Sequence, residues 1–299
     1  MNLAQLTDRT AVLFIGVAVG VAISQAFING GTVMASTTTA VAAAPAAASG
    51  APVRRNCPTA LAITPELNAA IRRGETIDVG VFGDSFGDGL WAAVYTGLRP
   101  EKQVEVHRFA KNSTGFTRYQ SLNLLDDIRA KLDSQPVDIA VISFGANDTQ
   151  AIWSGGNTSA YMSDPWKSKV GERIDAVVEL MRGRGISIIW VGLPRMRESG
   201  FESQIGQMNA FNAELMCSLN VPFIDTVPRS TGSDGVYTSH LPLRPGGEPI
   251  KVRAGDGVHM TMTGYGLLIP DLIEDISELA PDPAPAPAAP RAAARSAAQ

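Results

Sequence analysis

Five short apolar runs punctuate the middle of the chain, at residues 77–82, 104–107, 137–144, 186–191 and 221–224. Apart from 104–107, the weakest, they are nearly continuous in apolar residues instead of alternating with polar ones. That is the pattern of strands buried on both faces. Between them lie helical spacings. Val170, Ile174, Val177, Val178 and Met181 recur every three or four residues and make one apolar stripe. Leu124, Ile128 and Leu132 do the same. Residues 208–219 read as a further helix and 265–279 as a closing one, with Pro270 imposing a kink or a late start. Strand and helix alternation predicts an α/β fold: three layers, α/β/α, around a central five-stranded parallel sheet with right-handed crossovers. Reactive groups are then expected at the carboxyl ends of the strands. Two connections, 149–165 and 226–255, are too long for turns and read as functional loops.

The flanks have a different composition. Residues 11–24, AVLFIGVAVGVAIS, carry no polar side chain before the terminal serine, and Arg9 is the only basic residue ahead of them. A secretory core needs about 7–15 apolar residues and a membrane span about 17–25. The segment therefore reads either as a signal cleaved near Val33-Met34-Ala35 or as an uncleaved membrane anchor. Both place the body outside the cytoplasmic membrane, periplasmic or otherwise extracytoplasmic, and an uncleaved segment would anchor it in the inner membrane. The expected organisation is an export segment at 1–35, an Ala/Pro-rich linker at 36–56, one folded domain at 57–280 and a Pro/Ala-rich tail at 281–299. The tail lacks large apolar side chains and is expected to be disordered.

Net charge is −4, with no basic stripe, which argues against a nucleic-acid partner. There are two cysteines, Cys57 and Cys217, and no C-x-x-C. They are either unrelated thiols or one disulfide tying the start of the domain to a late helix, as an oxidising compartment permits.

Three element boundaries carry candidate chemistry. After the first strand comes Gly83-Asp84-Ser85-Phe86-Gly87-Asp88-Gly89. There Ser85 would open a helix whose free N–H groups face developing negative charge. After the third comes Gly145-Ala146-Asn147-Asp148, where an asparagine amide can point into the same crevice or simply build a turn. Before the last helix comes Asp256-Gly257-Val258-His259. A serine needs a base, and of the three histidines only His259 has an acid placed to hold its Nδ1–H. His107 ends a strand and reads as structural, and nothing pairs His240. No three ligands show metal-site spacing, so neither metal nor cofactor is expected.

Taken together, GDS, a glycine after the second strand, G-x-N-D and a late D-x-x-H resemble the SGNH/GDSL hydrolases, in that family's order and across nearly the whole body. The resemblance implies a flavodoxin-like SGNH hydrolase fold. It implies Ser85 as nucleophile, His259 as base, Asp256 as its orienting acid, and an oxyanion hole from Ser85 N–H, Gly115 N–H and the Asn147 side chain. Phe86 stands where the family name implies leucine, a change expected to touch packing and not chemistry. The stretch Arg253 to Thr261, with Asn209 on the preceding helix, is also similar to one bacterial envelope subfamily whose members mostly lack an assigned substrate. Arg253 and Trp153 are candidate substrate-binding residues.

The expected activity is serine-dependent cleavage of O-acyl esters, on small esters or on envelope carbohydrate. An acyltransferase with the same residues and a sugar hydroxyl in place of water is the alternative. A tethered binding or scaffold module without turnover is a second alternative from another class.

Overall fold

The computed structural model describes residues 56–280. The expected export segment, the linker up to residue 55 and the tail lie outside the described residues. Five parallel strands form the central sheet: β1 (Ile77–Gly83), β2 (Val104–Arg108), β3 (Ile139–Ser143), β6 (Ser187–Val191) and β7 (Phe223–Ile224). Their order is β2-β1-β3-β6-β7. Val79 lies between Val106 and Ile139, and Trp190 pairs with Phe223. The apolar runs are buried as continuous runs should be: every residue of β3 and β6 is buried, and all of β1 except Asp78.

The helices are α1 (Pro65–Arg73), α2 (Ser85–Leu98), α3 (Leu124–Ser134), α4 (Asp164–Arg182), α5 (Ser199–Ser218), α6 (Met262–Leu268) and α7 (Pro270–Leu279). From β1 the chain steps one way to β2, then returns past β1 to β3 and onward. Right-handed crossovers therefore put α2 on one face of the sheet and α3, α4 and α5 on the other, which makes the expected three layers. The direction reverses between β1 and β3, and α/β proteins gather their reactive groups at such a switch point. Among the described residues no helix is long and apolar enough to cross a membrane.

The structure departs from the sequence reading, or sharpens it, in four places. The two long connections are not structureless: 149–165 folds into the hairpin β4 (Ile152–Ser154)–β5 (Asn157–Ser159), and 226–255 contains β8 (His240–Pro242)–β9 (Pro249–Lys251). The strands are only three residues each, too short for an alternation to register. Helix α5 begins at Ser199, nine residues before the expected start, because Glu198 caps it by accepting from Gly200 N and Phe201 N. Helix α1 went unread although its punctuation is complete: Thr64 caps it, Pro65 opens it and Gly74 closes it at φ +67°. Pro270 acts as a helix start and not a kink, with the chain breaking at Ile269 between α6 and α7.

Cys57 and Cys217 are joined as a disulfide with their Cα atoms 4.8 Å apart. The bond ties the beginning of the described chain to α5.

Candidate active site

Ser85 is the first residue of α2, directly after β1, and Asp84 is its N-cap. Gly83 leaves no room for a side chain. A Cβ there would come within 2.3 Å of the Ser143 carbonyl oxygen and 2.6 Å of Gly87 Cα. The tight turn from strand to helix is thus built into the glycine that precedes the acid and the serine.

His259 Nε2 lies 2.8 Å from Ser85 Oγ, and its Nδ1 lies 2.7 Å from Asp256 Oδ2. In the productive tautomer Nδ1–H donates to the carboxylate and Nε2 accepts from the serine hydroxyl. The other carboxylate oxygen of Asp256 accepts from Val258 N at 2.8 Å and His259 N at 3.0 Å. Partial desolvation pushes the Asp256 carboxyl up, but the His259 ring and these two N–H groups outweigh it and bring it to about 2. The acid is therefore ionised at neutral pH. Phe86 stacks on the His259 ring, with centroids 5.1 Å apart, and Tyr265 meets Phe86 edge-on. The phenylalanine at the fourth position of the GDS block thus packs directly on the His259 ring.

The third component lies across the switch point. Asn147 follows β3 in a short 3-10 turn of Ala146–Asp148. Its Nδ2 donates to Asp84 Oδ2 at 3.2 Å and to Thr114 O at 3.0 Å. Gly115 sits above the Asp148 carboxylate, and a Cβ on it would come within 2.5 Å of Asp148 Oδ1. That oxygen also accepts from Thr117 N and Thr117 Oγ1, both at 2.7 Å, which fixes the loop carrying Gly115. Among the described residues neither Ser85 N–H nor Gly115 N–H finds an acceptor, so both are free to meet an anion. Asp84 and Asp148 are both fully buried. Burial pushes the Asp84 carboxyl up to about 7, against the opposing hydrogen bond from Phe86 N, and pushes the Asp148 carboxyl up as well.

Arg253 is not at the surface where a substrate could reach it. Its side chain has no exposed area. Nη2 donates to Arg195 O and, at 3.3 Å, to Val258 O; Nη1 lies 2.7 Å from Met260 Sδ. The guanidinium also lies 4.8 Å over the Tyr237 ring. Its length serves to gather backbone carbonyls under the loop that bears Asp256 and His259. Arg197 clamps the same loop from the segment after β6, donating to Gly255 O at 3.2 Å and Asp256 O at 2.8 Å. Asn209 pins that segment through Leu193 N and Leu193 O. Trp153 stands on β4 with 55% of its surface exposed.

Among the described residues there is one group of possible metal ligands that spacing along the chain did not reveal. Asp78, Glu105 and His107 each bring a ligand atom within 4.8 Å of the others. They meet because β1 and β2 pair in register, Asp78 against Glu105. The imidazole is already hydrogen-bonded to Asp78 at 2.6 Å. Asp78 stands about 17 Å of strand before the end of β1, after which the chain turns to Ser85.

The solved structures similar to this chain include a lipase/acylhydrolase from Enterococcus faecalis: 18% identity, TM-score 0.48, covering 68% of this chain and 96% of that one. A GDSL-like lipase from Bacteroides thetaiotaomicron is 18% identical, with a TM-score of 0.47 and coverage of 71% and 95%. A catalytic mutant of an acetylxylan esterase from Geobacillus stearothermophilus is 15% identical, with a TM-score of 0.49 and coverage of 68% and 95%. No curated protein matches the sequence. The family described as "Protein of unknown function (DUF459)" matches residues 78–275, a span that takes in Ser85, Gly115, Asn147, Asp256 and His259, and the chain belongs to that family.

Proposed function

We propose that the protein is an exported serine esterase of the SGNH/GDSL type that cleaves O-acyl esters through an acyl-enzyme on Ser85. The observation that carries this reading is the unbroken line from Asp256 through His259 to Ser85 Oγ, with links of 2.7 and 2.8 Å. As Oγ attacks the ester carbonyl, His259 Nε2 takes its proton. The carbonyl oxygen becomes an oxyanion facing the N–H groups of Ser85 and Gly115 and the amide of Asn147. One such donor contributes about 2.7–4 kcal/mol to the transition state. The intermediate collapses, His259 passes the proton to the leaving alcohol, and the acyl group stays on Ser85. Water then enters, loses a proton to His259, and releases the acid.

Hydrolysis is favoured over acyl transfer because the site is open. The Asp256 side chain is 48% exposed and the His259 side chain 35%, so water reaches the acyl-enzyme. An O-acylated carbohydrate fits the exposed Trp153 on the hairpin that follows Asn147, since a sugar face stacks on such a ring. Export is supported by the apolar segment 11–24 and by the Cys57–Cys217 disulfide, a bond that persists in oxidising compartments. Purified full-length protein should hydrolyse p-nitrophenyl acetate, and Ser85→Ala should not. A folded wild-type protein without turnover would remove the esterase reading. Acyl transfer to a sugar alcohol in excess over hydrolysis would replace it with the acyltransferase, and neither activity would leave the binding-module alternative.

A further inference from the structure

We propose that Asp84 is a positioning residue for this hydrolysis: its buried carboxylate holds the side-chain amide of Asn147 in the orientation from which that amide meets the oxyanion. The inference rests on the esterase reading.

Asp84 does more than an N-cap requires. One oxygen, Oδ1, accepts from Phe86 N at 2.8 Å and so caps α2. Serine, threonine or asparagine would cap equally well, and none would bring the cost of a carboxylate removed from water. The difference lies at the second oxygen, which accepts from Asn147 Nδ2 at 3.2 Å. An asparagine at position 84 whose carbonyl capped the helix would present its own NH2 to Asn147, donor against donor. Among the capping residues, aspartate is the one that accepts on both sides.

The consequence falls on the amide. The terminal torsion of an asparagine is broad and roughly two-fold, so the oxygen and nitrogen exchange places easily. At Asn147 one arrangement offers hydrogens to the hole and the other offers a repelling oxygen. Two acceptors select the first: Asp84 Oδ2 on one hydrogen and Thr114 O, at 3.0 Å, on the other. Thr114 O belongs to the peptide whose N–H is that of Gly115. A developing oxyanion is a stronger acceptor than a neutral carbonyl. The hydrogen on the Thr114 side is therefore the one that turns to the substrate, while Asp84 keeps the other and sets the axis.

The test compares full-length wild type, Asp84→Asn, Asn147→Ala and the double variant on p-nitrophenyl acetate at pH 8. Asp84→Asn should lower kcat about 10- to 100-fold with KM within about twofold, the signature of an interaction made only in the transition state. The double variant should be no worse than Asn147→Ala by more than about threefold, because the two residues act as one unit. A wild-type kcat in Asp84→Asn, or losses that multiply in the double variant, would overturn the proposal. If wild type itself does not turn over, the esterase reading fails separately. The orientation is still read by NMR of protein labelled with 15N-asparagine, the Asn147 amide being assigned from its loss in Asn147→Ala. Its two side-chain protons should move in Asp84→Asn while the backbone spectrum is kept. Unmoved protons would again overturn the proposal.

Discussion

His259 Nε2 and Ser85 Oγ stand 2.8 Å apart, although 174 positions of sequence separate the two residues. The sheet closes that separation, with β1 delivering the serine and the chain returning after β9 to deliver the histidine. Asp84 can cap α2 and hold Asn147 together only as a carboxylate, and burial pushes that group up to about 7, so kcat/KM should fall as pH is lowered through that value. Asp256 titrates at about 2 and adds no second step to this limb above pH 4. Asp256→Asn should lower kcat by about 10²- to 10⁴-fold, since it no longer holds Nδ1–H and loses the imidazolium partner. A pH–rate profile of wild type from 4 to 9 tests the first statement, and one that stays flat refutes it.

Arg253 and Arg197 hold the loop of the base from two directions. Among the described residues Arg253 has no carboxylate partner within ion-pair distance; its donors go to Arg195 O, Val258 O and Met260 Sδ. Arg253→Ala should leave those carbonyls without a donor inside a cavity, at a cost of about 2–4 kcal/mol in urea unfolding. It should also raise hydrogen exchange at residues 254–259. Arg197→Ala acts on the exposed side of the same loop and should cost less than about 1 kcal/mol, with a several-fold loss of kcat. Equal protection of 254–259 in wild type and Arg253→Ala would show that the clamp is elsewhere.

Most of this framework is legible in the sequence because its signals are local. Residues 137–144 and 186–191 are strands buried on both faces, and a buried parallel strand needs only a continuous apolar run. Ser85, Asn147 and His259 each follow an element end, where a short motif suffices. What stayed hidden depends on residues far apart in sequence. Arg253 three residues before Asp256 resembles a surface cation; the carbonyl that draws it inward belongs to Arg195, 58 positions away. That Phe86 packs on the His259 ring shows only once the two are brought together. The Asp78–His107 pair depends on the register of β1 with β2, and the hold of Asp84 on Asn147 depends on β3 lying beside β1.

The disulfide encloses a loop of 160 residues. A closed loop of that length restricts the unfolded chain by about 5 kcal/mol on the entropic account, an upper value because Cys57 lies beside the chain end of the described domain. Reduction should therefore lower the urea midpoint, and Cys57→Ser should shift it by the same amount while being indifferent to reductant. An oxidised midpoint that does not move on reduction would mean the bond constrains little.

The two buried carboxylates beside Asn147 make stability depend on pH in an unusual direction. Asp84 is raised by burial from near 4 to about 7. Between these values the folded protein binds more protons than the unfolded chain, and stability must fall as pH rises. Asp148 is raised by burial and acts in the same sense, while Asp256, held low, contributes only below about pH 4. Wild type should therefore be more stable near pH 5 than near pH 8, by at most about 3 kcal/mol from Asp84 alone. In Asp84→Asn that component disappears. Its amide, set against the Asn147 amide, lowers stability by an amount that does not change with pH, so the slope of Tm against pH isolates the carboxylate. Melting both proteins at half-unit steps from pH 5 to 8 decides the matter. Parallel curves would mean that Asp84 stays ionised throughout, with its charge compensated by its neighbours, and diverging curves that meet most closely near pH 8 would locate the proton on Asp84.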